Sequence, residues 1–187
     1  MNPIHRVWAG LLPLIRFFHE TVLGNAWYDE IVPGLWLGGA PLYERDYRFL
    51  IERGVGAVLD LRREGHDDLE IYRRAAIVYL RLPVLDALAP SSAVISRGTG
   101  FIHGRLRGGR TVLVHCAKGR GRAPTLVAAY LMKHHGSSFS RARAILEARR
   151  PSTKLRRRHR RRLESWASVG GIDDGETDGC DRDDKQP

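Results

Sequence analysis

Residues 115–122 read His-Cys-Ala-Lys-Gly-Arg-Gly-Arg, so that one cysteine, Cys116, lies six residues before an arginine, Arg122. A loop with spaced glycines can turn several backbone N–H groups toward a bound anion. The arginine guanidinium adds a planar pair of donors that matches two oxygens of a phosphoryl group. A cysteine thiolate at the base of this loop is a good nucleophile. The segment therefore predicts phosphoryl chemistry, in which Cys116 attacks phosphorus and Arg122 holds the oxygens.

The elements on either side of this loop would strengthen its attraction for anions. Residues 111–116 have the apolar pattern of a buried strand, and residues 123–136 that of a largely apolar helix. The positive end of a helix dipole stabilises both a bound phosphate and a thiolate. Two other interpretations are weaker. An inert buried cysteine does not require such a loop, and a nucleotide-binding loop needs a Gly-Lys-Ser/Thr spacing that this sequence lacks.

Strand-like segments alternate with helical ones along the rest of the chain. Strands are predicted at 31–39, 55–61, 77–85 and 111–116, and helices at 43–54, 69–75, 91–109, 123–136, 140–151 and 154–167. This alternation predicts an α/β fold, with a central, mainly parallel sheet of four to five strands flanked by helices. We expect a single domain of this kind.

The domain is expected to span residues 26–168, between an amphipathic N-terminal helix at 1–25 and an acidic, disordered tail at 169–187. The helix is predicted from apolar residues at helical spacing, which are Ile4, Trp8, Leu11, Ile15, Phe18 and Val22. Its uncharged run is short for a membrane span, and no signal-peptide cleavage site follows it. Two interpretations remain: the helix packs on its own domain, or it lies on an anionic membrane surface.

The chain is strongly basic, because 31 Lys and Arg residues against 21 Asp and Glu give a formal net charge of +10. Such a chain attracts anions, whether phosphorylated substrates, acidic lipids or nucleic acid. The arginine run at 156–162 is predicted to cover the solvated side of a helix. The other face of that helix carries Leu155, His159, Leu163 and Trp166. No aromatic residues interleave with the arginines as a base-stacking groove requires, so nucleic acid is not an expected partner.

Only two cysteines, Cys116 and Cys180, occur in the chain. Neither a disulfide framework nor a paired-cysteine zinc site can be built from them. We therefore expect a cytoplasmic protein, which would be peripheral at the inner face of a membrane if the N-terminal helix binds lipid.

The loop sequence HCAKGRGR resembles the His-Cys-x5-Arg signature of the cysteine-dependent dual-specificity and protein-tyrosine phosphatases. Together with residues 27–42, WYDEIVPGLWLGGAPL, it most resembles the mitochondrial-type branch that acts on phosphatidylglycerophosphate. The resemblance spans residues 26 to about 167 and implies hydrolysis of phosphate monoesters through a phosphocysteine intermediate, without a metal or other cofactor. It implies a supporting role for His115 and substrate binding by Ala117, Lys118, Gly119, Arg120, Gly121 and Arg122.

The family also carries a general acid on a loop well upstream of the cysteine, and Asp86 in RLPVLDALAPSS matches it. The acid protonates the leaving oxygen, and loss of such a group costs about 10²–10⁴ in rate. Asp86 could instead only cap the following turn. Asp60 is a weaker candidate because it sits inside a buried strand pattern, and Asp67 and Asp68 fall in a different loop.

This sequence departs from the family at Ala123, because a serine or threonine that assists release of the thiolate usually follows the arginine. The alanine resembles that of the phosphatases of regenerating liver, and the next hydroxyl is that of Thr125, a second supporting residue. We therefore expect slow hydrolysis of the phosphoenzyme. One alternative is a phosphate-binding pseudophosphatase, against which the presence of Cys116, Arg122 and Asp86 argues.

The resemblance implies, most broadly, a dual-specificity phosphatase that acts on phosphotyrosine, phosphoserine and phosphothreonine in proteins. Lys118 and Arg120 add two cations to the loop, which would suit a highly charged lipid headgroup or would only favour the Cys116 thiolate. With the amphipathic residues 1–24, they make an anionic phospholipid the alternative substrate, either phosphatidylglycerophosphate or a phosphoinositide. That alternative includes peripheral contact with a membrane.

Overall fold

Five strands, whose side chains are largely apolar and buried, pair into one sheet. The computed structural model of the chain describes residues 11–171. The strands are β1 (Tyr28–Val32), β2 (Leu35–Gly38), β3 (Val55–Arg62), β4 (Val78–Val84) and β5 (Thr111–His115). They lie in the order β1-β2-β5-β3-β4, and all neighbours are parallel except β1 and β2. The predicted α/β fold with a mainly parallel sheet is confirmed.

Helices cover both faces of this sheet. The described part of α1 covers residues 11–17 and continues as a π-helical turn at Phe18–Val22. The others are α2 (Glu44–Glu52), α3 (Leu69–Arg74), α4 (Ser92–Arg107), α5 (Arg122–His134), α6 (Phe139–Arg149) and α7 (Arg157–Trp166), which a turn at Ala167–Gly171 follows. Helices α4 to α7 share one core layer with the sheet, and α1 to α3 share the other.

The prediction of a single first strand at 31–39 is wrong, because the chain forms a hairpin there. Pro33 and Gly34 make the turn between β1 and β2, and Gly34 has a φ of +77°. This left-handed conformation favours glycine, and a proline-glycine pair is itself a turn signal. The hairpin brings Gly38, at the end of β2, beside His115 of β5.

The carboxyl ends of the central parallel strands meet at one edge of the sheet. His115 pairs with Gly38 on one side and with Asp60 of β3 on the other. The loop at 116–121 leaves this edge and enters α5, a helix that is buried almost throughout. The two ends of the loop are therefore held by a largely buried strand and a largely buried helix.

Helix α1 packs against the domain mainly through polar side chains. Arg16 pairs with Asp46 of α2, the Nε2 atom of His19 lies 3.1 Å from the carbonyl oxygen of Ala26, and Leu12 is buried beside them. The large exposed apolar side chains of this segment are Leu11, Leu14, Phe17, Phe18, Val22 and Leu23. One face of this helix therefore packs on the domain, as the first interpretation expects, and the other face is apolar and exposed.

Residues 1–10 and 172–187 lie outside the described part of the chain, and with them the predicted apolar positions Ile4 and Trp8 and nearly all of the predicted acidic tail. In α7 the predicted face is buried, and the arginines of 156–162 are exposed. Of the helices that the structure describes, none is long and apolar enough to cross a bilayer.

Candidate active site

The loop between β5 and α5, here called the phosphate loop (residues 116–122), turns its carbonyl groups outward. The carbonyls of residues 117 to 120 each accept a hydrogen bond from outside the loop. The donors are, in that order, Ala40 N at 3.2 Å, Arg150 Nη2 at 3.2 Å, Arg150 Nε at 3.0 Å and Lys154 N at 2.7 Å. Because a trans peptide points its N–H away from its carbonyl, the following amides face inward. Inward-facing amides of this kind can hold an anion, and we call the hollow that they line the cradle.

Cys116 lies at the base of this cradle and is only 3% exposed. It directly follows β5, and its side chain belongs to the core layer that contains α5. The amino end of α5 opens at the other end of the same loop. Since a helix amino terminus and a row of inward amides both stabilise negative charge, the site suits an anion beside the sulfur atom.

Gly119 is required by the backbone of the phosphate loop, whereas Gly121 is not. Gly119 has a φ of +62°, and a Cβ atom there would lie 2.4 Å from the carbonyl oxygen of Gly38. Gly121 has a φ of −128°, and a Cβ atom would meet the His159 ring at an ordinary 3.7 Å. The expectation that both glycines allow the tight curl is therefore correct only for Gly119.

Sequence reasoning missed Arg150, which holds the phosphate loop from behind. This side chain is only 1% exposed, donates to the carbonyl oxygens of Lys118 and Gly119, and pairs with Asp29 of β1. It thus joins the end of α6, the first strand and the loop. No local signal separates it from the other arginines of the chain, because its partners lie 31 or more residues away.

Arg122 opens α5 with a buried guanidinium group whose orientation is fixed. Its Nη1 atom donates to the carbonyl oxygen of Val84 at 2.9 Å, and its two terminal nitrogens donate to Glu64 at 2.8 and 2.5 Å. Although burial alone would lower it, the pKa of Arg122 is raised by Glu64, Cys116 and Asp86. Burial would likewise raise the pKa of Glu64, but the pairing with Arg122 lowers it. Sequence reasoning did not single out Glu64.

Asp86 lies in the loop after β4, where its Oδ1 atom is 3.1 Å from Nη2 of Arg122. Its side chain is 53% exposed, and the neighbouring Leu85 and Leu88 are exposed as well. Ala87 has a φ of +64°, which non-glycine residues rarely adopt, so the chain bends sharply next to the carboxylate. The structure therefore brings the predicted acid to the mouth of the cradle, beside the predicted phosphate-binding arginine.

His115 lies behind the phosphate loop in a buried cluster of charged groups. Its Nε2 atom is 2.9 Å from Oδ2 of Asp67, and its Nδ1 atom is 3.8 Å from Oδ1 of Asp60. The ligand atoms of these three side chains lie within 4.8 Å of one another, a grouping that could hold a metal ion. Arg62 already bonds both carboxylates, so a guanidinium cation lies between them. Asp67, set aside above as lying in a different loop, thus contacts the signature histidine.

The remaining predicted residues lie around the loop. Lys118 and Arg120 are partly exposed, and Nη2 of Arg120 is 3.5 Å from Nδ1 of His19, so α1 borders the phosphate loop. The buried hydroxyl of Thr125 donates to the carbonyl oxygen of Gly121 at 2.7 Å. Thr125 therefore secures the end of the loop, with its hydroxyl engaged by the backbone.

A mainly parallel sheet that ends in an inward-facing loop of amides, with a cysteine at one end of the loop and an arginine at the other, defines the class of cysteine-dependent phosphatases. Comparison with known families gives the same class. Residues 38–136, just over half of the chain, match the family described as "Polymorphic toxin system, DSP-PTPase phosphatase". The chain belongs to this family of dual-specificity-type phosphatases and is a hydrolase that acts on phosphate monoesters.

Its relatives act on both lipid and protein substrates, as their names state. The chain is 32% identical over 163 residues to the phosphatidylglycerophosphate phosphatase PTPMT2 of Arabidopsis thaliana. The aligned region covers 85% of this chain and 70% of the relative. It is 33% identical over 140 residues to dual specificity protein phosphatase 26 of Rattus norvegicus. This aligned region covers 72% of this chain and 65% of the relative. The crystal structure of PTPMT1 in complex with PI(5)P matches with a TM-score of 0.71 at 26% identity, over 77% of this chain and 96% of that one.

Proposed function

We propose that this phosphatase hydrolyses phosphate monoesters of anionic phospholipids through a phosphocysteine intermediate. In this proposal Cys116 is the nucleophile, Arg122 and the loop amides bind the phosphoryl group, and Asp86 is the general acid. The burial of Cys116 at the base of an amide cradle and the 3.1 Å approach of Asp86 to Arg122 support these roles.

Two displacements at phosphorus make up the reaction. In the first, the Cys116 thiolate forms a bond to phosphorus while the bond to the ester oxygen breaks, and Asp86 gives its proton to that oxygen. The loop amides and Arg122 stabilise the charge on the three remaining oxygens. In the second, a water molecule attacks phosphorus and passes a proton to Asp86, and the phosphorus–sulfur bond breaks. Inorganic phosphate leaves, and the thiolate and the protonated acid are restored.

The contacts of Arg122 indicate how substrate and acid share its guanidinium group. Glu64 orients the group through both terminal nitrogens, and Asp86 lies beside one of them. A bound phosphoryl group would take the place of the Asp86 carboxylate at Nη2, and the exposure of Asp86 leaves room for it to move. Displaced in this way, Asp86 would lie beside the phosphoryl group whose leaving oxygen it protonates in the first step.

The open apolar surface of α1 is the observation that favours a lipid substrate. We call it the outer apolar face, and it consists of Leu11, Leu14, Phe17, Phe18, Val22 and Leu23. The opposite face of the same helix approaches the phosphate loop where His19 meets Arg120. Leu85 and Leu88, exposed on either side of Asp86, add apolar surface near the mouth of the site. A helix that lies in a membrane surface buries such an apolar face in the bilayer.

Charge supports the same assignment. Lys118 and Arg120 are partly exposed at the phosphate loop, and basic residues near a membrane surface attract anionic lipid at about 1 kcal/mol each. The sequence pattern of the outer apolar face continues through Ile4 and Trp8. We propose that residues 1–24 make peripheral contact with an anionic membrane while the phosphate loop acts on a headgroup.

A comparison of phosphate release from two substrates tests the proposal. One substrate is phosphatidylglycerophosphate in phosphatidylcholine vesicles, and the other is soluble p-nitrophenyl phosphate. Leu14→Ser with Phe17→Ser should reduce release from vesicles at least tenfold, because both side chains are more than half exposed and would bury apolar area in the bilayer. Release from p-nitrophenyl phosphate should not change. The matched control is Ile51→Ser, which alters an exposed apolar residue of another helix and should change neither rate. Equal loss on both substrates would contradict the membrane role.

A phosphoprotein is the second candidate substrate, because the 33% identical relative is a dual specificity protein phosphatase. A phosphotyrosine peptide that is hydrolysed faster than the lipid, at a rate that ignores the α1 substitutions, would favour it. Binding of phosphate without turnover of any substrate would instead make the protein a pseudophosphatase.

A further inference from the structure

A groove lies between α6 and the residues that lead into α7, and the mechanism above does not use it. We call it the arginine groove, and it consists of two adjoining hollows of about 380 and 510 Å³. One wall comes from α6, and the other comes from the α6–α7 connection and the first turn of α7. The residues that carry the argument are Arg143, Glu147, Thr153, Lys154, Arg156 and Arg157.

The lining of the arginine groove is strongly basic. Against the single negative charge of Glu147 stand five cations, which are Arg143, Lys154, Arg156, Arg157 and Arg160. Arg143 and Arg160 each pair with a glutamate of their own helix at 2.7 Å. Within residues 11–171, by contrast, no carboxylate pairs with Arg156 or Arg157. A bound anion would relieve the repulsion between these neighbouring cations.

Thr153 brings an unused hydroxyl group to the same groove. The residue is only 6% exposed, and its Oγ1 atom has no hydrogen-bond partner in the described part of the chain. A buried hydroxyl without a partner is costly and uncommon. The side chain thus offers a polar group for which the chain itself supplies no acceptor, and this observation points to a ligand independently of the charges.

The amino end of α7 opens at the groove as well. Arg156 directly precedes this helix and has no side-chain acceptor that could cap the first amides. Uncapped amides and the positive end of the helix dipole both favour a negatively charged ligand. Three kinds of donor, namely guanidinium groups, a hydroxyl and helix amides, are therefore brought together.

The arginine groove is linked directly to the phosphate loop. The amide of Lys154, a lining residue, donates to the carbonyl oxygen of Arg120 at 2.7 Å. The side chain of Arg120 in turn lies 3.5 Å from His19 of α1. Arg120 thus contacts both the segment that lines the groove and the helix that carries the outer apolar face.

We propose that the arginine groove is a second anion site, which binds the phosphate group of an anionic headgroup other than the one being hydrolysed. Arginine guanidinium groups match phosphate oxygens, and the hydroxyl and amides add neutral donors. The inference rests on the proposed lipid substrate and adds a partner for it: an anionic lipid beside the substrate holds the enzyme at the membrane. A free phosphate ion has the same chemistry, so the experiments compare the two sources.

Co-sedimentation with phosphatidylcholine vesicles, with and without phosphatidylglycerol, tests the site without turnover. Arg156→Gln with Arg157→Gln should weaken binding to the anionic vesicles about thirtyfold, because each cation near such a surface contributes about fivefold. The matched control is Arg161→Gln with Arg162→Gln, which removes the same charge from exposed arginines of the same helix outside the groove. It should weaken binding far less. Equal weakening by the two pairs would overturn the inference.

Titration calorimetry with inorganic phosphate distinguishes the two sources. If the free ion is sufficient, the wild type should show two phosphate sites, and the variant with both Arg156 and Arg157 replaced should show one. If the groove requires a headgroup in a bilayer, both proteins should show one site, while the difference in vesicle binding persists. Either result supports the groove as an anion site. One site in each protein together with equal vesicle binding would overturn it.

Thr153→Val tests the unused hydroxyl in a variant of nearly the same shape. Because no hydrogen bond within the described chain is lost, the melting temperature should not fall, whereas affinity for the anionic vesicles should fall several-fold. A lower melting temperature with unchanged vesicle binding would overturn the role of Thr153 as a ligand group. Failure of the wild type to hydrolyse phosphatidylglycerophosphate would refute the proposed function instead. The vesicle-binding comparison needs no hydrolysis, so the two failures can be told apart.

Discussion

Inside the phosphate loop, polar groups are buried and bonded, whereas at its mouth the functional side chains are exposed. Arg150, Arg122 and Cys116 are at most 3% exposed, and the loop carbonyls are tied to partners outside the loop. At the mouth, Asp86 is about half exposed, and α1, which borders the phosphate loop, carries the exposed outer apolar face. The inner part is thus fixed before substrate arrives, and the outer part is free to move and to meet a surface.

The inside of the phosphate loop and its mouth determine different properties: the first determines the reaction type, and the second the choice of substrate. A preorganised cradle stabilises the charge on any phosphoryl group, so it supplies the reaction type. The mouth decides which phosphorylated molecule can bring its ester to the sulfur. We therefore expect changes inside the loop to affect all substrates alike, and changes at the mouth to distinguish between them.

Asp86→Asn should show the largest selective effect at the mouth. Loss of the acid should reduce turnover of an alkyl phosphate about 10²–10⁴-fold, because an alkoxide leaves poorly without a proton. Turnover of p-nitrophenyl phosphate should fall much less, since nitrophenolate leaves without help. Steady-state rates on the two substrates measure the difference. Equal loss on both would mean that Asp86 acts through Arg122 rather than as an acid.

Gly119→Ala should damage all activities alike, because it alters the inside of the loop. The new Cβ atom would lie 2.4 Å from the carbonyl oxygen of Gly38, at a φ of +62° that alanine adopts only at a cost of about 1–2 kcal/mol. We expect at least a tenfold lower kcat/KM on every substrate and a lower melting temperature. Gly121→Ala is the matched control and should be close to wild type. Similar effects of the two substitutions would contradict the loop geometry.

His159 should make the support of the loop sensitive to acid. Burial, with the charges of Arg158 and Arg156, lowers the pKa of His159 to about 4, and its Nδ1 atom accepts a hydrogen bond from the Arg156 amide. The unfolded chain, with a histidine pKa near 6.5, binds the proton more readily. The neutral ring therefore makes its whole contribution to the free energy of unfolding above pH 6.5. As the pH falls toward 4, this contribution is lost, and the free energy of unfolding decreases by up to about 3 kcal/mol.

Urea unfolding at several pH values between 7.5 and 4.5 measures this loss. In His159→Gln the free energy of unfolding should depend less steeply on pH than in the wild type. The pH dependence that remains in His159→Gln should include a contribution from His134, because burial also lowers the pKa of His134 to about 4. An identical slope in both proteins would contradict the assignment to His159.

Ala123→Ser should have the smallest effect and should change only the second step. Ala123 is fully buried at the start of α5, and the Thr125 hydroxyl is engaged by Gly121, so Thr125 does not replace the hydroxyl that the family usually has. We expect a several-fold higher steady-state rate on p-nitrophenyl phosphate and a smaller initial burst. An unchanged steady-state rate would refute the role assigned to the alanine.

The nucleophile and its arginine could be read from the sequence because they lie in one short segment between a strand and a helix. Asp86 could be found because it follows the end of a strand in the family's order. The fold followed from the same local patterns, and the hairpin at Pro33 and Gly34 was missed although it carried a recognised turn signal.

The supporting residues could not be predicted, because nothing in their own segments marks them. Glu64 reaches Arg122 across 58 residues, and Arg150 reaches Asp29 across 121. Asp67 and Asp68 are adjacent acids, yet Asp68 caps α3 while Asp67 turns inward to His115. Only the three-dimensional fold separates such neighbours.

Rapid mixing with p-nitrophenyl phosphate, in wild type and in Cys116→Ser, tests the phosphocysteine mechanism most directly. The wild type should release nitrophenolate in a burst close to one equivalent of enzyme and then turn over slowly, and intact-mass analysis should show a phosphorylated protein during the slow phase. The variant should show neither. Turnover by Cys116→Ser at the wild-type rate would contradict the mechanism.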